Sequence, residues 1–214
     1  SDFVKEFNIS SFSQIDAETV GNIQFVQTGE TSARAEGDEV AVNNITITTD
    51  GDKLIIRSID KKLHNGKKFK NLKLTIFISS PQLTRIDQQG VGNFILTKTV
   101  ETDNLKIDYE GVGNLSAENL ICNNLDIDYE GVGNVKLKGK TTTAIYKSEG
   151  VGNIQADEMI AQHLTVRANG VGNVKCHAAQ SIDVVSSGVG NVSYYGKPEV
   201  KKVSKNGIGK IQER

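Results

Sequence analysis

The sequence has no tryptophan, two prolines, two cysteines and only 6% aromatic residues, and each shortage narrows the fold. With so few aromatics and hydrophobic residues at 37%, a thick globular interior is excluded in favour of a narrow aliphatic core. Scarce proline beside 21 glycines suits a chain of many tight turns. Cys122 and Cys176 are too few for a disulfide framework, and no histidines stand at ligand spacing to make a zinc site with them. About three coils of the repeat described below separate them, roughly 14 Å, so two buried, unpaired thiols are expected. No run of eighteen apolar residues exists, which excludes a membrane-spanning helix. A formal net charge of −1 argues against nucleic acid and anionic membranes as partners. No secretory signal is visible. The chain opens Ser-Asp-Phe without Met, as a trimmed form would, so membrane association is expected only through a removed or absent segment.

What is abundant is a repeat. Gly-Val-Gly-Asn begins at Gly90, Gly111, Gly131, Gly150, Gly170 and Gly188, with spacings of 21, 20, 19, 20 and 18 residues. The second glycines are Gly92, Gly113, Gly133, Gly152, Gly172 and Gly190. The asparagines are Asn93, Asn114, Asn134, Asn153, Asn173 and Asn191. A degenerate copy starts at Gly207, and Val20-Gly21-Asn22 is a candidate early one. Six intact copies at nearly constant spacing are not chance.

Around each copy the apolar residues alternate. Leu105 and Ile107, Leu125 and Ile127, and Leu164 and Val166 precede bends; Phe94 and Leu96, Leu115 and Ala117, and Val135 and Leu137 follow them. Period two with one apolar face marks half-buried strands. Each unit therefore reads as strand, bend, strand and a second polar turn, such as Glu118-Asn119 or Lys138-Gly139-Lys140. A twenty-residue unit cannot bury its apolar face alone, but stacked coils can. The expected fold is all-β: a single-stranded, right-handed β-solenoid with an asparagine ladder at its bends. A finer alternation aligns Leu120-Ile121-Cys122 with Met159-Ile160-Ala161, so long and short coils should alternate on one side.

Residues 1–89 carry strands without the motif and read as an irregular cap with the first coils; residues 90–214 form the regular part of one continuous body. Ile45–Thr48 and Leu54–Ile56 flank Asp50-Gly51 as a hairpin, and Leu72 to Ile78 alternates as a strand. Lys61 to Lys68 is a basic loop whose ordinary role is a solvated tip.

Repeated Gly-x-Gly bends after short alternating strands, an irregular β-rich first half, and Tyr194-Tyr195-Gly196-Lys197-Pro198 before a last Gly-x-Gly together resemble a bacterial family. It is that of the "putative auto-transporter adhesin, head GIN domain" proteins, and the likeness covers nearly the whole chain. The middle bend residue, often Ser in that family, is Val here. The resemblance implies a right-handed β-helical body shaped like pectin lyases, export to the cell surface or outer envelope, and a role in adhesion. It brings no catalytic residues and no cofactor.

Candidate chemistry lies on the outward positions. Stacking places Asp108, Glu110, Asp126, Asp128 and Glu130 within two adjacent coils on one face, where close carboxylates raise one another's pKa and make acid/base pairs or cation sites. Arg85, Lys106, Lys147 and Arg167 lie close enough in the repeat to neutralise them, which is the ordinary state of such a face. Tyr109 and Tyr129, a conceivable sugar-stacking pair, face inward by parity and read as core. His64, His163 and His177 lack ligand spacing, no Gly-x-Ser-x-Gly occurs, and the bends do not lead into helices. The favoured function is a non-enzymatic surface adhesin or envelope binding module, its partner a surface glycan or a protein of a host or neighbouring cell. The alternatives are a pectin-lyase-like enzyme working at Asp108 and Asp128, or an assembly scaffold. Self-association stays open, because solenoid ends expose strand edges and the bend valines offer an apolar flank.

Overall fold

A computed structural model describes residues 2–66 and 71–214. Parallel coils of about 20 residues stack into a β-solenoid of about 6 turns. Its regular part is built from β9 (Phe94–Tyr109), β10 (Leu115–Tyr129), β11 (Val135–Ser148), β12 (Ile154–Ala168) and β13 (Val174–Ser186), each hydrogen-bonded in parallel to the next. Before them come β1 (Phe3–Phe7), β2 (Gln14–Glu18), β3 (Asn22–Gln27), β4 (Ser32–Gly37), helix α1 (Glu39–Val42), β5 (Ile45–Asp50), β6 (Lys53–Ser58), β7 (Leu74–Ser80) and β8 (Arg85–Gln88). After them come β14 (Val192–Tyr195), β15 (Val200–Lys205) and β16 (Ile211–Glu213).

In β9 to β13 the second polar turn expected in each coil is absent: from bend to bend the chain is one strand of 13 to 16 residues, and the change of direction is made by an irregularity in the ladder. The last coil does have such a turn, at 196–199 between β14 and β15. Pairing slips between Ala117 and Leu120 against β11, and Lys98 takes a positive φ of 58° in β9. Glu118 has no strand partner on either side, and its carboxylate accepts the Lys98 N–H at 2.7 Å; pairing resumes within two residues, so a bulge suffices where a turn was expected. These bulges absorb the differences in coil length. Leu120 pairs with Gly139 and Gly139 with Met159, while Cys122, Thr141 and Ala161 share the next inward level, which is the alignment the sequence predicts.

Two walls result, joined at the Gly-Val-Gly-Asn bends. The first wall runs β1-β4-β7-β3-β9-β10-β11-β12-β13-β14-β16. Along the second lie β5, β6, β2 and β8, then the later halves of β9 to β13, and finally β15. Val20-Gly21-Asn22 is a true copy: Val20 bridges Val91, and the Asn22 side chain accepts the Asn93 N–H at 2.9 Å. Spatial order departs from chain order at this end. The coil of β6 and β7 lies outside that of β2 and β3, and antiparallel β4, β1 and β5 close the stack beyond it. The 45–56 hairpin forms as expected. In the basic loop Lys61 and Lys62 are exposed; Lys67 and Lys68 lie outside the described residues.

Inward side chains fill the space between the walls, each buried aliphatic contributing about 1.5–3 kcal/mol of transfer free energy. Leu105, Leu125, Ala144, Leu164 and Ile182 form one level, and Ile107, Ile127, Tyr146, Val166 and Val184 another. Tyr109 and Tyr129 stack with ring centroids 5.5 Å apart, buried as inward parity predicts. Both thiols are free and buried. Burial pushes the Cys176 thiol up to about 12, so it is inert at neutral pH.

Candidate functional site

The outer face of the second wall carries the polar side chains singled out in the sequence. Strand pairing sets them in two rows. Arg85, Lys106, Asp126, Ile145, Thr165 and Asp183 form one; Asp87, Asp108, Asp128, Lys147, Arg167 and Val185 form the other, nearer the bends. Parallel pairing puts neighbours in a row about 4.8 Å apart, which is why charges from different coils meet.

Two of the five predicted carboxylates are held by cations. Arg85 clamps Asp87 at 2.9 Å and also binds Asp108. Lys106 spans to Asp126 at 3.0 Å and to Asp108 at 3.5 Å. Farther along, Arg167 meets Asp183 at 3.1 Å. Asp128, Glu110 and Glu130 have no cation within 4.0 Å among the described residues. Glu110 and Glu130 sit immediately before their bends in a row with Glu149, all exposed. A hydrogen bond to Glu149, then the charge of Asp128, pushes the Glu130 carboxyl above its usual range. Among the described residues no group of three His, Cys, Asp or Glu side chains is placed to hold a metal ion. The face thus divides into a charge-paired half around Arg85 and Lys106 and an unpaired acidic margin at the bends.

One feature of this face was missed in the sequence. A groove of about 380 Å³ runs along its edge, lined by Thr84, Asn104, Lys106, Asn124, Asp126 and Ile145. The Asn124 amide donates to the Asn104 carbonyl at 2.7 Å, and the row continues through Thr143 and His163 to Ser181, which bonds the His163 ring at 2.7 Å. The signal is present in the sequence: the seventh residue before the five bends at Gly111, Gly131, Gly150, Gly170 and Gly188 is polar, as Asn104, Asn124, Thr143, His163 and Ser181.

The bends themselves are structural. Each asparagine side chain accepts the backbone N–H of the next asparagine, from Asn22 through Asn191, at 2.8–3.0 Å. The ladder ends where Lys210 replaces asparagine and only donates, to Asn191 at 2.8 Å.

A long parallel stack with a broad, shallow, charge-paired face defines a solenoid of the β-helical class. The chain belongs to the family described as "Putative auto-transporter adhesin, head GIN domain", which matches residues 11–198. It is similar to a solved "putative adhesin" from Bacteroides fragilis NCTC 9343, 36% identical, with a TM-score of 0.94 over 100% of this chain and 97% of that one. A "putative adhesin" from Parabacteroides merdae ATCC 43184 shares the fold at 20% identity and a TM-score of 0.70, covering 100% of this chain and 96% of that one. So does a "Putative lipid binding protein" from Parabacteroides distasonis ATCC 8503, at 20% identity, a TM-score of 0.72 and the same coverage. No curated protein matches the sequence.

Proposed function

We propose that the chain is an exported, non-catalytic adhesion module, and that it holds a surface glycan against the outer face of its second wall. The observation that carries this is the groove between the Asn104–Asn124 amide row and the Lys106–Asp126 pair, with Ile145 as apolar floor. Asparagine amides offer a donor and an acceptor side by side, and an ion pair adds a fixed partner of each kind. Sugar hydroxyls need that mixture, and a shallow groove on a rigid stack presents it with little ordering cost. An adhesin family supports the same reading and surface export with it. The enzyme alternative needs Asp108 and Asp128 free to exchange protons as a pair; Asp128 has no cation within 4.0 Å among the described residues, but Asp108 is engaged by Arg85 and Lys106.

The test is a glycan array with the purified chain, with and without calcium, followed by mass spectrometry of the supernatant. Saturable binding without released product is expected. Product release would overturn the non-catalytic assignment, and silence across the array would remove the glycan.

A further inference from the structure

Every bend carries an apolar side chain into solvent. Val91, Val112, Val132, Val151, Val171 and Val189 are 46–52% exposed and Ile208 is 73% exposed, although they link coil to coil in one unbroken series of parallel bridges. From Val20 to Ile208 this makes a straight ridge of β-branched residues, about 34 Å long at the interstrand spacing. The backbone does not require it. Threonine has a similar β preference and would put a hydroxyl in place of one of the two exposed methyl groups at each position. The two ends of the solenoid differ from the ridge in extent. Ala41, Val42 and Phe12 are buried toward the first end, and at the other, where Val200 and Val203 are exposed on β15, Lys201 reaches Glu213 at 2.7 Å while Lys205 donates to the Gly209 carbonyl. Among the described residues the ridge is the exposed apolar row that runs from coil to coil.

Its two flanks differ in charge. On the side entering the bend lie Glu110, Glu130 and Glu149, all exposed and without a cation within 4.0 Å among the described residues. On the side leaving it lie exposed Lys136 and Lys175, with Ser116 and Gln155 between and beside them, and neither lysine has an acidic partner within 4.0 Å among the described residues. Such a strip is complementary to itself in one orientation. A two-fold axis parallel to the solenoid lays ridge against ridge at equal heights and brings the acidic flank of each copy onto the basic flank of the other. Glu130 then faces Lys136 of the second copy. An axis perpendicular to the solenoid sets Glu110, Glu130 and Glu149 against the same row, and like charges across an interface are costly.

We propose that the valine ridge joins two copies of this chain side by side, parallel, with Glu130 opposite Lys136. Six residues around the bend give the strip a width of about 15–20 Å, so each copy contributes about 500–700 Å², below the standard interface size and appropriate to a dissociation constant of about 10–100 µM. The dimer leaves the second-wall groove of each copy outward, which doubles its contacts with a glycosylated surface.

Sedimentation velocity over a concentration series tests this. The wild type should dimerise in that range. V132E/V151E should be monomeric with an unchanged thermal melt, since both side chains are half exposed. K136E should weaken the dimer at least tenfold, and E130K/K136E should restore it. Orientation is read by oxidative cross-linking: V112C should form a disulfide with its own counterpart, with little background because Cys122 and Cys176 are buried. A chain monomeric to about 1 mM, roughly ten times beyond that range, would overturn the proposal. So would a dimer indifferent to both the ridge and the charge variants, or cross-linking of V112C only to V171C, which marks the antiparallel arrangement.

Discussion

Tyr129 and Tyr146 sit in adjacent coils, both fully buried, yet their hydroxyls have opposite fates. Tyr129 donates to the carbonyl of Gly133 and lies 2.9 Å from that of Val151, tying one bend to the next. The Tyr146 hydroxyl has no partner among the described residues, and burial holds its pKa well above the ordinary phenol range. A made hydrogen bond contributes about 1 kcal/mol, whereas an unmet buried polar group costs desolvation on folding. Tyr129→Phe should therefore lower stability by about 1–2 kcal/mol in urea unfolding, and Tyr146→Phe should be neutral or stabilising. Equal losses at the two positions would contradict this accounting. Sequence parity places both rings inside, but which hydroxyl finds a carbonyl depends on the distance to a bend four residues away.

At the scale of the element, the bend is governed by how closely coils approach. Gly133 has φ +136°, and a Cβ there would lie 1.9 Å from the Gly113 carbonyl oxygen of the coil below. Neither the dihedral nor the contact tolerates a methyl group. Gly133→Ala should destabilise by about 3 kcal/mol or more, while Gly51→Ala, at φ +58° with open space around it, should lose only about 1–2 kcal/mol. Denaturant unfolding of both variants checks the contrast. Bends of this kind are legible in a sequence because glycine and asparagine answer to local geometry. The bulges are less so. Glu118-Asn119 and Lys138-Gly139-Lys140 are polar and look like turns, yet the ladder only slips there by a residue or two and then resumes. The charge pairs were half legible: period two puts Asp108 and Asp126 on the outer face, but only the stacking of β8 on β9 and β9 on β10 brings Arg85 and Lys106 to them.

For the whole molecule, the early chain order was the hardest to read. β2 and β3 pair with β8 and β9 across 71 residues, as Ile15 with Ile86 and Ile23 with Phe94, and β6 and β7 occupy the coil beyond them. Alternation within a strand says nothing about such distant partners. The two ends are finished differently, by antiparallel strands and a short helix at one and by the Lys201–Glu213 pair at the other. Lys201, Lys202 and Lys205 also line the open edge of β15, which discourages strand addition there. Lys201 holds the Glu213 carboxyl below its ordinary range. Along its length the molecule carries two outward features, the ridge at the bends and the face of the second wall. The central claim assigns adhesion to that face. It is tested most directly by measuring glycan-array binding of Asn124→Ala/Asp126→Ala, which strips the groove of one amide and one carboxylate, beside a ridge variant, V132E/V151E. The account predicts binding per molecule lost from the first and kept by the second; binding retained by the first would contradict it.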